Sequence, residues 1–562
     1  MDIRYKYRYV RGLLKRYGLW GLVLKTAERR QSPMLRYTSC YRRYLPDQAQ
    51  IMHQEGAPLP FAPLVSIVVP VYETPREYLW GLMDCVRAQT YQNWELCLAD
   101  GSKTGRVGQS VAEYGAEDKR IRYTRLTKNG GIAGNTNSGL KMAKGSYIAL
   151  MDHDDLIPPN ALYEMVACLN ESYQEGERGK ALIYSDEDKI DSSGSVHSRP
   201  HFKPDFNLEF LRRNNYFCHF LFFSKELLQQ AGGFRKEFDG AQDYDFVLRC
   251  VDSGAIVRHV PKILYHWRIH EGSTAGNSGD KEYAFDNGCR AIEEHLKRCA
   301  EPGRAFVTQN LGVYRVAYAL QGSYTVTVVA ADKAQMGQIK KYYGQKGTDT
   351  GYQLHIQYLQ AQIWDPGIEQ AVKGDYILYI GKHIKVKPQG IIEALLAICQ
   401  QRQNGIAAAK LITTGKRVAS CGYHYDSHGR LIPSCGGIPA AYKGYFLHAA
   451  VPQNTSAASL ECAMIKREAY KLAGGFSKGL HGIYRDADFC FRIAMHGYAA
   501  VVTPEVTAVV DKAAGKKGTL NLENERKRFR EKWNMRLAQP DPCYNINLSL
   551  ETGCTYALRE QP

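Results

Sequence analysis

The sequence predicts an α/β fold, a mostly parallel sheet flanked by helices, present as two tandem copies of which the second is degenerate. Three observations carry this expectation. Short apolar runs alternate with helical periodicity from Val65 onward. Polar residues collect where those runs end. The same ordered residue set then recurs in the second half of the chain. Taken in order, Val65 to Tyr72 reads as a buried strand that carries Pro70 near its end. Leu79, Leu82 and Val86 follow at helical spacing, and Trp94 to Asp100 reads as a second strand. A third short strand is expected at Ile121 to Leu126. The glycine-rich stretch from Gly130 to Gly139 opens the next helix, and Tyr147 to Met151 reads as a buried strand.

That strand ends in Asp152, Asp154 and Asp155, three carboxylates within four residues. Like charges so close resist burial, so the turn is either solvated or holds something positive. Hard divalent cations prefer carboxylate oxygens, and Mg²⁺ takes one or two of them beside substrate phosphates. In an open parallel sheet, ligands bind outside the carboxyl ends of the strands. Tyr72, Asp100 and Asp152 to Asp155 all fall at such ends, so three loops converge on one edge. The glycines precede the helix before the acidic strand rather than following the first strand. They are therefore no dinucleotide fingerprint, and their small size lets backbone approach a nucleotide or phosphate.

The chain has 562 residues, 44% hydrophobic and 23% charged, which is ordinary globular composition spread over at least two domains. Lys and Arg number 73 against 57 Asp and Glu, a net charge of +16 that suits an anionic partner. The 15 cysteines are scattered without a Cys-x-x-Cys pair, which points to reduced thiols in a cytoplasmic setting and against both a disulfide framework and a zinc site. No apolar run is long enough to cross a membrane. No nucleic-acid-binding signature accompanies the charge, so no nucleic acid partner is expected. Residues 1–45 are rich in Arg, Lys and Tyr. Val10, Leu13, Leu14, Leu19, Leu22 and Leu24 form a rough apolar stripe between Arg11, Lys15, Arg16 and Lys25. Such a segment either lies on an anionic membrane face or packs on its own domain.

The repeat runs Gly232, Gly233, Phe234, Asp243, Asp245, Phe246, Arg249, Gly254, Pro261 in the first half. In the second it runs Gly474, Gly475, Phe476, Asp486, Asp488, Phe489, Arg492, Gly497, Pro504. Gly145 to Asp152 likewise matches Gly374 to Gly381, and Tyr324 onward matches the opening strand. Opposite Asp152, His153, Asp154 and Asp155 the second half has Gly381, Lys382, His383 and Ile384. That set cannot hold a divalent cation, so the second copy is expected to fold without catalysing. The expected domains are a basic extension at 1–62, a catalytic domain at 63–300 and a linker at 301–321. A degenerate copy at 322–512 and a C-terminal extension at 513–562 complete the chain.

Several pieces, in this order, resemble the glycosyltransferases of family 2. They are Val68 to Tyr72, Asp100 to Ser102, Asn129 to Ala133, Asp152 to Asp155, Gly240 to Arg249 and Tyr265 to Arg268. The closest subgroup is the bacterial type that builds cell-surface polysaccharide. Tyr184 to Asp188 and Phe202 to Asp205 also look like that subgroup. The resemblance implies the GT-A fold of nucleotide-diphospho-sugar transferases. It implies an inverting transfer of sugar from a nucleoside diphosphate sugar donor to a hydroxyl of a glycan or lipid-linked glycan acceptor. It further implies Mn²⁺ or Mg²⁺ held by Asp154, with Asp152 and His266, and Asp243 as the catalytic base. Donor contacts would come from Pro70, Tyr72, Glu73, Asp100, Gly131, Asn137 and Asp152. Asp245 is expected to pair or cap rather than to move a proton.

This chain has Glu73 where many relatives have Asn, and Thr136 where many have Arg. Among the remaining residues, Asp186 to Asp188 read as a sugar pocket or an exposed acidic turn. His219 reads as an acceptor contact or a core histidine. His270 reads as a loop residue and is left out of the site. The competing functions are a nucleotidyltransferase on the same fold, and a non-catalytic scaffold of a polysaccharide-assembly complex.

Overall fold

The computed structural model describes residues 37–115, 117–270, 282–345, 351–511, 522–550 and 556–559, with Leu14, Leu19 and Val23 as single positions. The rest of the basic segment through residue 36, and with it most of the expected membrane-facing stripe, lies outside the described residues. The chain divides into an N-terminal unit, chiefly 33–206 and 214–316, and a C-terminal unit, chiefly 207–213 and 317–558. Among the described residues, no helix is long and apolar enough to cross a membrane.

The strands of the N-terminal unit are β1 (Val65–Val71), β2 (Trp94–Asp100), β3 (Ile121–Arg125), β4 (Tyr147–Leu150), β5 (Ala181–Ile190), β6 (His197–His201), β7 (Leu221–Ser224) and β8 (Ile256–Arg268). They form one sheet in the order β3-β2-β1-β4-β7-β5-β6, with β8 also on β5. β1 runs parallel to β2 and β4, while β7 is the antiparallel strand between β4 and β5. The helices used below are α1 (Arg76–Arg87), α2 (Arg106–Gly115), α3 (Gly131–Met142), α4 (Ala161–Ser172), α5 (Gln242–Asp252) and α6 (Glu282–Arg298). α1 buries Leu79, Leu82, Met83 and Val86, one stripe at helical spacing, in the same core as Val65, Ile67 and Val69 of β1. Each such side chain contributes about 1.5–3 kcal/mol by leaving water.

Pro70 sits in a central strand without breaking it. The bonds of the even-numbered residues of β1 face β4, as Met151 N donating to Val68 O shows. β4 pairs only as far as Val68, so the donor that Pro70 lacks has no partner to lose.

The C-terminal unit repeats this plan with β9 (Gly322–Ala330), β10 (Tyr352–Gln360), β11 (Tyr376–Ile380), β12 (Asn404–Thr413), β13 (Cys462–Lys466) and β14 (Ala499–Val510). Their order, β10-β9-β11-β13-β12-β14, matches β2-β1-β4-β7-β5-β8 strand for strand. The parallel or antiparallel sense of every pairing matches too. Local devices recur with the topology. Gly145 N donates to Ser66 Oγ at 2.8 Å, and Gly374 N donates to Thr327 Oγ1 at 2.9 Å. A Cβ at either glycine would lie 2.5–2.6 Å from the neighbouring strand's backbone, which explains glycine at both positions. Arg249 holds Asp245 and the carbonyls of Ala231 and Gly232. Arg492 holds Asp488 and the carbonyls of Ala473 and Gly475 in the same way. Residues 207–213 belong to the C-terminal unit, where buried Glu209 accepts from Tyr318 Oη and from Asn404 Nδ2.

Candidate active site

β1, β2 and β4 end on one edge of the N-terminal sheet, with Val71 opposite Asp100 and Leu150 opposite Val68. At the first end, Tyr72 is 40% exposed beside the half-buried Pro70. Asp100 is buried and accepts from Ser102 N at 2.8 Å and from Tyr123 Oη at 2.7 Å. Glu73 has the left-handed φ of 46° that a non-glycine residue rarely adopts. Its carboxylate accepts from Lys103 N, Thr104 N and Thr104 Oγ1, and its own N–H donates to Ser102 Oγ. Those bonds, Thr104's hydroxyl foremost, hold its carboxyl below the usual range. Glu73 thus shapes the loop after β2.

The glycine-rich stretch is built differently from the expectation. Gly131 has φ +79°, and a Cβ there would lie 2.3 Å from Asp239 Oδ2. Asp239 Oδ1 accepts from Ala133 N at 3.0 Å, so a carboxylate of this chain already occupies the N-terminus of α3. Asn137 is committed elsewhere as well. Its Nδ2 donates to Phe234 O at 2.7 Å and its Oδ1 accepts from Phe234 N at 2.9 Å. That is a backbone-mimicking clamp between α3 and the Gly232–Phe234 turn, which fixes the orientation of the amide.

Beyond β4 the acidic residues separate by role. Asp155 is buried and accepts from Tyr265 Oη at 2.7 Å and Arg268 N at 2.7 Å, which fixes the end of β8. Burial, and then Asp154 and Asp152, push its carboxyl well above the usual range. Asp154 faces His270, with Nε2 to Oδ2 at 2.7 Å, and Arg268 Nε donates to its backbone carbonyl at 2.6 Å. Asp152 lies 3.9 Å from His219 Nε2. Desolvation in the cleft, resisted by His219, and then Asp154, with Asp243 also contributing, push Asp152 upward. His219 also meets buried Glu187, Nδ1 to Oε2 at 3.2 Å, and stacks on Tyr265. Burial works to lower His219, but Glu187, Asp152 and Asp155 outweigh it and hold the imidazole at about 9. A cation therefore stands among the carboxylates at neutral pH. Burial opposes ionisation of Glu187, yet Lys203, His201 and His219 hold it well below its usual range.

Asp243 occupies the first turn of α5, half-buried, where Oδ2 accepts from Asn215 Nδ2 at 3.1 Å and from Cys218 Sγ at 2.9 Å. Asp245, two residues on, is buried between Arg235 and Arg249, as expected of a pairing residue. His266 is engaged through Nδ1 by Asp188. That nitrogen lies 2.6 Å from Asp188 Oδ1, while Asp188 Oδ2 meets His197 Nδ1 at 2.7 Å and Tyr37 Oη at 2.8 Å. The cause is register: β5 pairs Asp188 with His266 across the ladder. The acidic run at 186–188 is therefore a buried strand and not an exposed turn. Asp186 and Asp188 bond His259 and His266 on one face, and Glu187 faces His219 on the other. Tyr37, with Tyr41 stacked 4.0 Å from His197, packs the end of the basic segment onto this unit.

Asp154 and His270 place a carboxylate oxygen and an imidazole 2.7 Å apart, donor types that suit Mn²⁺ or Mg²⁺ shared with a diphosphate, but among the described residues Asp152 does not gather with them into a three-ligand group. Nearby, His153 Nδ1 and Asn215 Oδ1 are buried without a hydrogen-bond partner. Sequence reasoning set His270 aside as a loop residue, whereas the fold brings it within 2.7 Å of Asp154. It also underrated Glu187, Lys203 and Cys218, which only the folded register brings to the cleft.

Residues 66–232 match the family description "Glycosyl transferase family 2". An uncharacterized protein of Sinorhizobium fredii, y4gI, is 30% identical over 539 residues, covering 87% of this chain and 58% of that protein. The O-antigen biosynthesis protein RfbC of Myxococcus xanthus is 25% identical over 535 residues, covering 89% of this chain and 41% of its own length. Chondroitin synthase of Escherichia coli is 28% identical over 244 residues, 43% of this chain and 34% of the synthase. The chain thus spans well under two thirds of these relatives. Among solved structures, Staphylococcus aureus TarS with UDP aligns at TM-score 0.33 and 18% identity, covering 41% of this chain and 65% of that one. The Pyrobaculum calidifontis mannosyltransferase with GDP-Man and Mn²⁺ aligns at TM-score 0.30 and 16% identity, covering 50% and 74%.

Proposed function

We propose, from the premise that the N-terminal unit is a glycosyl transferase family 2 domain, that it moves a sugar from a nucleoside diphosphate to a glycan or lipid-linked glycan hydroxyl, with inversion. The observation that carries this reading is geometric. Asp152, in the turn after β4, lies 3.9 Å from His219 Nε2, and the adjacent Cys218 donates to Asp243 of α5 at 2.9 Å. Carboxylates from two elements of the fold thus flank the Cys218–His219 segment. The names of the relatives, O-antigen biosynthesis and chondroitin synthesis, support a surface-polysaccharide acceptor.

In this reading Asp154 and His270, with Asp152, would hold Mn²⁺ or Mg²⁺. His266 is left to its buried pairing with Asp188. When bound, the ion offsets the charge that develops on the leaving diphosphate. Asp243 accepts the proton of the attacking hydroxyl, and Asn215 and Cys218 orient its carboxylate for that task. Tyr72 and Asp100 bound the nucleobase pocket, and Pro70 and Glu73 shape it. His219 adds a positive charge beside Asp152 where the diphosphate would lie. Gly131 serves by admitting Asp239 at the helix start, and Asn137 by holding the turn at Phe234. The C-terminal unit is a degenerate copy with a binding or bracing role.

The test is a panel of nucleoside diphosphate sugars with Mn²⁺ or Mg²⁺ and a glycan acceptor, scored for released nucleoside diphosphate. Turnover of one donor, lost in Asp154→Ala, supports the reading. Release of pyrophosphate would replace it with nucleotidyl transfer. Absence of both turnover and metal-dependent donor binding would replace it with a scaffold.

A further inference from the structure

The C-terminal ends of α5 and α6 bring together three metal-ligating chemistries outside the cleft. Asp252 is the last residue of α5, His295 lies in the last turn of α6, and Cys299 follows that helix by one residue. Cys299 N donates to His295 O at 3.0 Å, so the helical path continues and the two side chains share one face at i, i+4 spacing. One ligand atom from each of the three residues lies within 4.8 Å of the others. His295 is fully buried, Asp252 half-buried and Cys299 exposed, so the group opens to solvent on the thiol side.

The distances discriminate between metals. A tetrahedral Zn²⁺ with ordinary bond lengths sets its sulfur and nitrogen ligands about 3.6 Å apart, sulfur and oxygen about 3.5 Å, and nitrogen and oxygen about 3.4 Å. Here Cys299 Sγ lies 3.7 Å from His295 Nδ1 and 3.4 Å from Asp252 Oδ1. Two edges of the tetrahedron are already in place. The third, Asp252 Oδ1 to His295 Nδ1, is 2.6 Å because a proton now bridges it. Removing that proton lets the edge open. The second carboxylate oxygen accepts from Arg298 Nε at 2.6 Å, the kind of outer partner that fixes a ligating carboxylate. A thiolate, an imidazole and one carboxylate oxygen select a borderline-soft cation over Mg²⁺ or Ca²⁺.

We propose that Asp252, His295 and Cys299 form a site for a thiophilic divalent cation, Zn²⁺ by preference, with its fourth position open to water. Binding releases the thiol proton of Cys299 to solvent. The Nδ1 proton of His295 also leaves, with Nε2 protonated instead, and three bonds to the cation replace the present hydrogen bonds. The site joins two helices, one of which carries Asp243 in its opposite, first turn. Its role is to fix α5 along its length, and it does not depend on which sugar the cleft transfers.

Co²⁺ is the probe, because tetrahedral thiolate coordination gives strong visible and charge-transfer bands. The full chain, reduced and metal-free, is titrated with Co²⁺ in parallel with Cys299→Ser, an exposed position at a helix end. The expected result is a tetrahedral spectrum saturating at one equivalent, bleached by Zn²⁺, and lost in Cys299→Ser. The metal should also raise Tm in the parent and not in the variant. Circular dichroism and metal-free Tm equal to the parent's show that the variant is folded. A spectrum that survives Cys299→Ser, or no tetrahedral spectrum at all, overturns the proposal. Neither result bears on nucleoside diphosphate release, so this site and the sugar-transfer reading fail separately.

Discussion

The two units share one strand order and differ at one strand end. In the N-terminal unit Asp152 follows β4 with its carboxylate 3.9 Å from His219 Nε2, while His270 and Arg268 contact the neighbouring Asp154. In the C-terminal unit Gly381 follows β11, and the cleft is filled from within. A Cβ on Gly381 would lie 1.6 Å from Glu461 Oε2. Asp486, the counterpart of Asp243, is buried, accepts from Leu460 N at 3.0 Å and pairs with Arg485. Arg485 in turn lies 3.4 Å over the Trp364 ring. The frame that both units keep, such as Asp245 with Arg249 and Asp488 with Arg492, is therefore what the fold needs. What they do not share are the residues the proposed reaction would use.

The largest expected effect breaks the comparison at the chemistry. Asp154→Ala and Asp243→Asn should each lower kcat for nucleoside diphosphate release by roughly 10²–10⁴-fold, the range for lost metal or base function. A smaller loss in Asp243→Asn would move the base elsewhere.

Next is the attempt to restore the second cleft. Gly381→Asp should destabilise the C-terminal unit by about 1–3 kcal/mol in urea unfolding, since Glu461 stands in the way and a further carboxylate joins Asp486. Gly381→Asp combined with Glu461→Ala should recover most of that loss. Equal loss in the single and double variants would mean that Glu461 is not the obstacle.

The pH dependence sharpens the same contrast. Burial, and then Asp486, push Glu461 up to about 7, against the opposing Arg485. Folding then favours its protonated form. Stability from this residue is fully present below the unfolded-state pKa, near 4.5, and is lost as pH rises toward 7. The slope is negative because the native state binds the extra proton, and its total is at most about 3 kcal/mol. Glu461→Gln should flatten that limb in unfolding measured from pH 4.5 to 7.5. Glu187 of the N-terminal unit has the opposite sign: its depressed pKa stabilises above the unfolded value and that contribution is lost in acid. An unchanged limb in Glu461→Gln would assign the pH dependence to another group.

The smallest effect concerns a residue the two readings treat differently. Asn137→Ala should cost roughly 1–2 kcal/mol of stability through the lost bonds to Phe234 and leave donor affinity near the parent value. A selective loss of donor affinity at unchanged Tm would return Asn137 to the donor site.

Much of this was legible in the sequence because it depends on local pattern. The apolar runs of β1, β2 and β4, the acidic strand end and the recurring Asp245 and Asp488 motifs all lie within short windows. Residue partners set by long-range register were not legible. His266 follows Tyr265 in the chain, yet whether it faces Asp154 or Asp188 depends on how β8 slides along β5. Asn137 lies in a glycine-rich stretch suited to phosphate, but Phe234, distant in sequence, claims both ends of its amide. Glu461 could not be paired with Gly381 from spacing, because β11 and β13 are neighbours only in the folded sheet.

The most direct test of the account places the counterpart carboxylates side by side. Asp243→Asn and Asp486→Asn are assayed for nucleoside diphosphate release with the same donor, metal and acceptor, with Tm recorded for both. The account expects release to collapse in Asp243→Asn at near-parent Tm. It expects release to persist in Asp486→Asn, whatever the change in Tm of the C-terminal unit. Full activity in Asp243→Asn, or loss of activity in a stably folded Asp486→Asn, would contradict it.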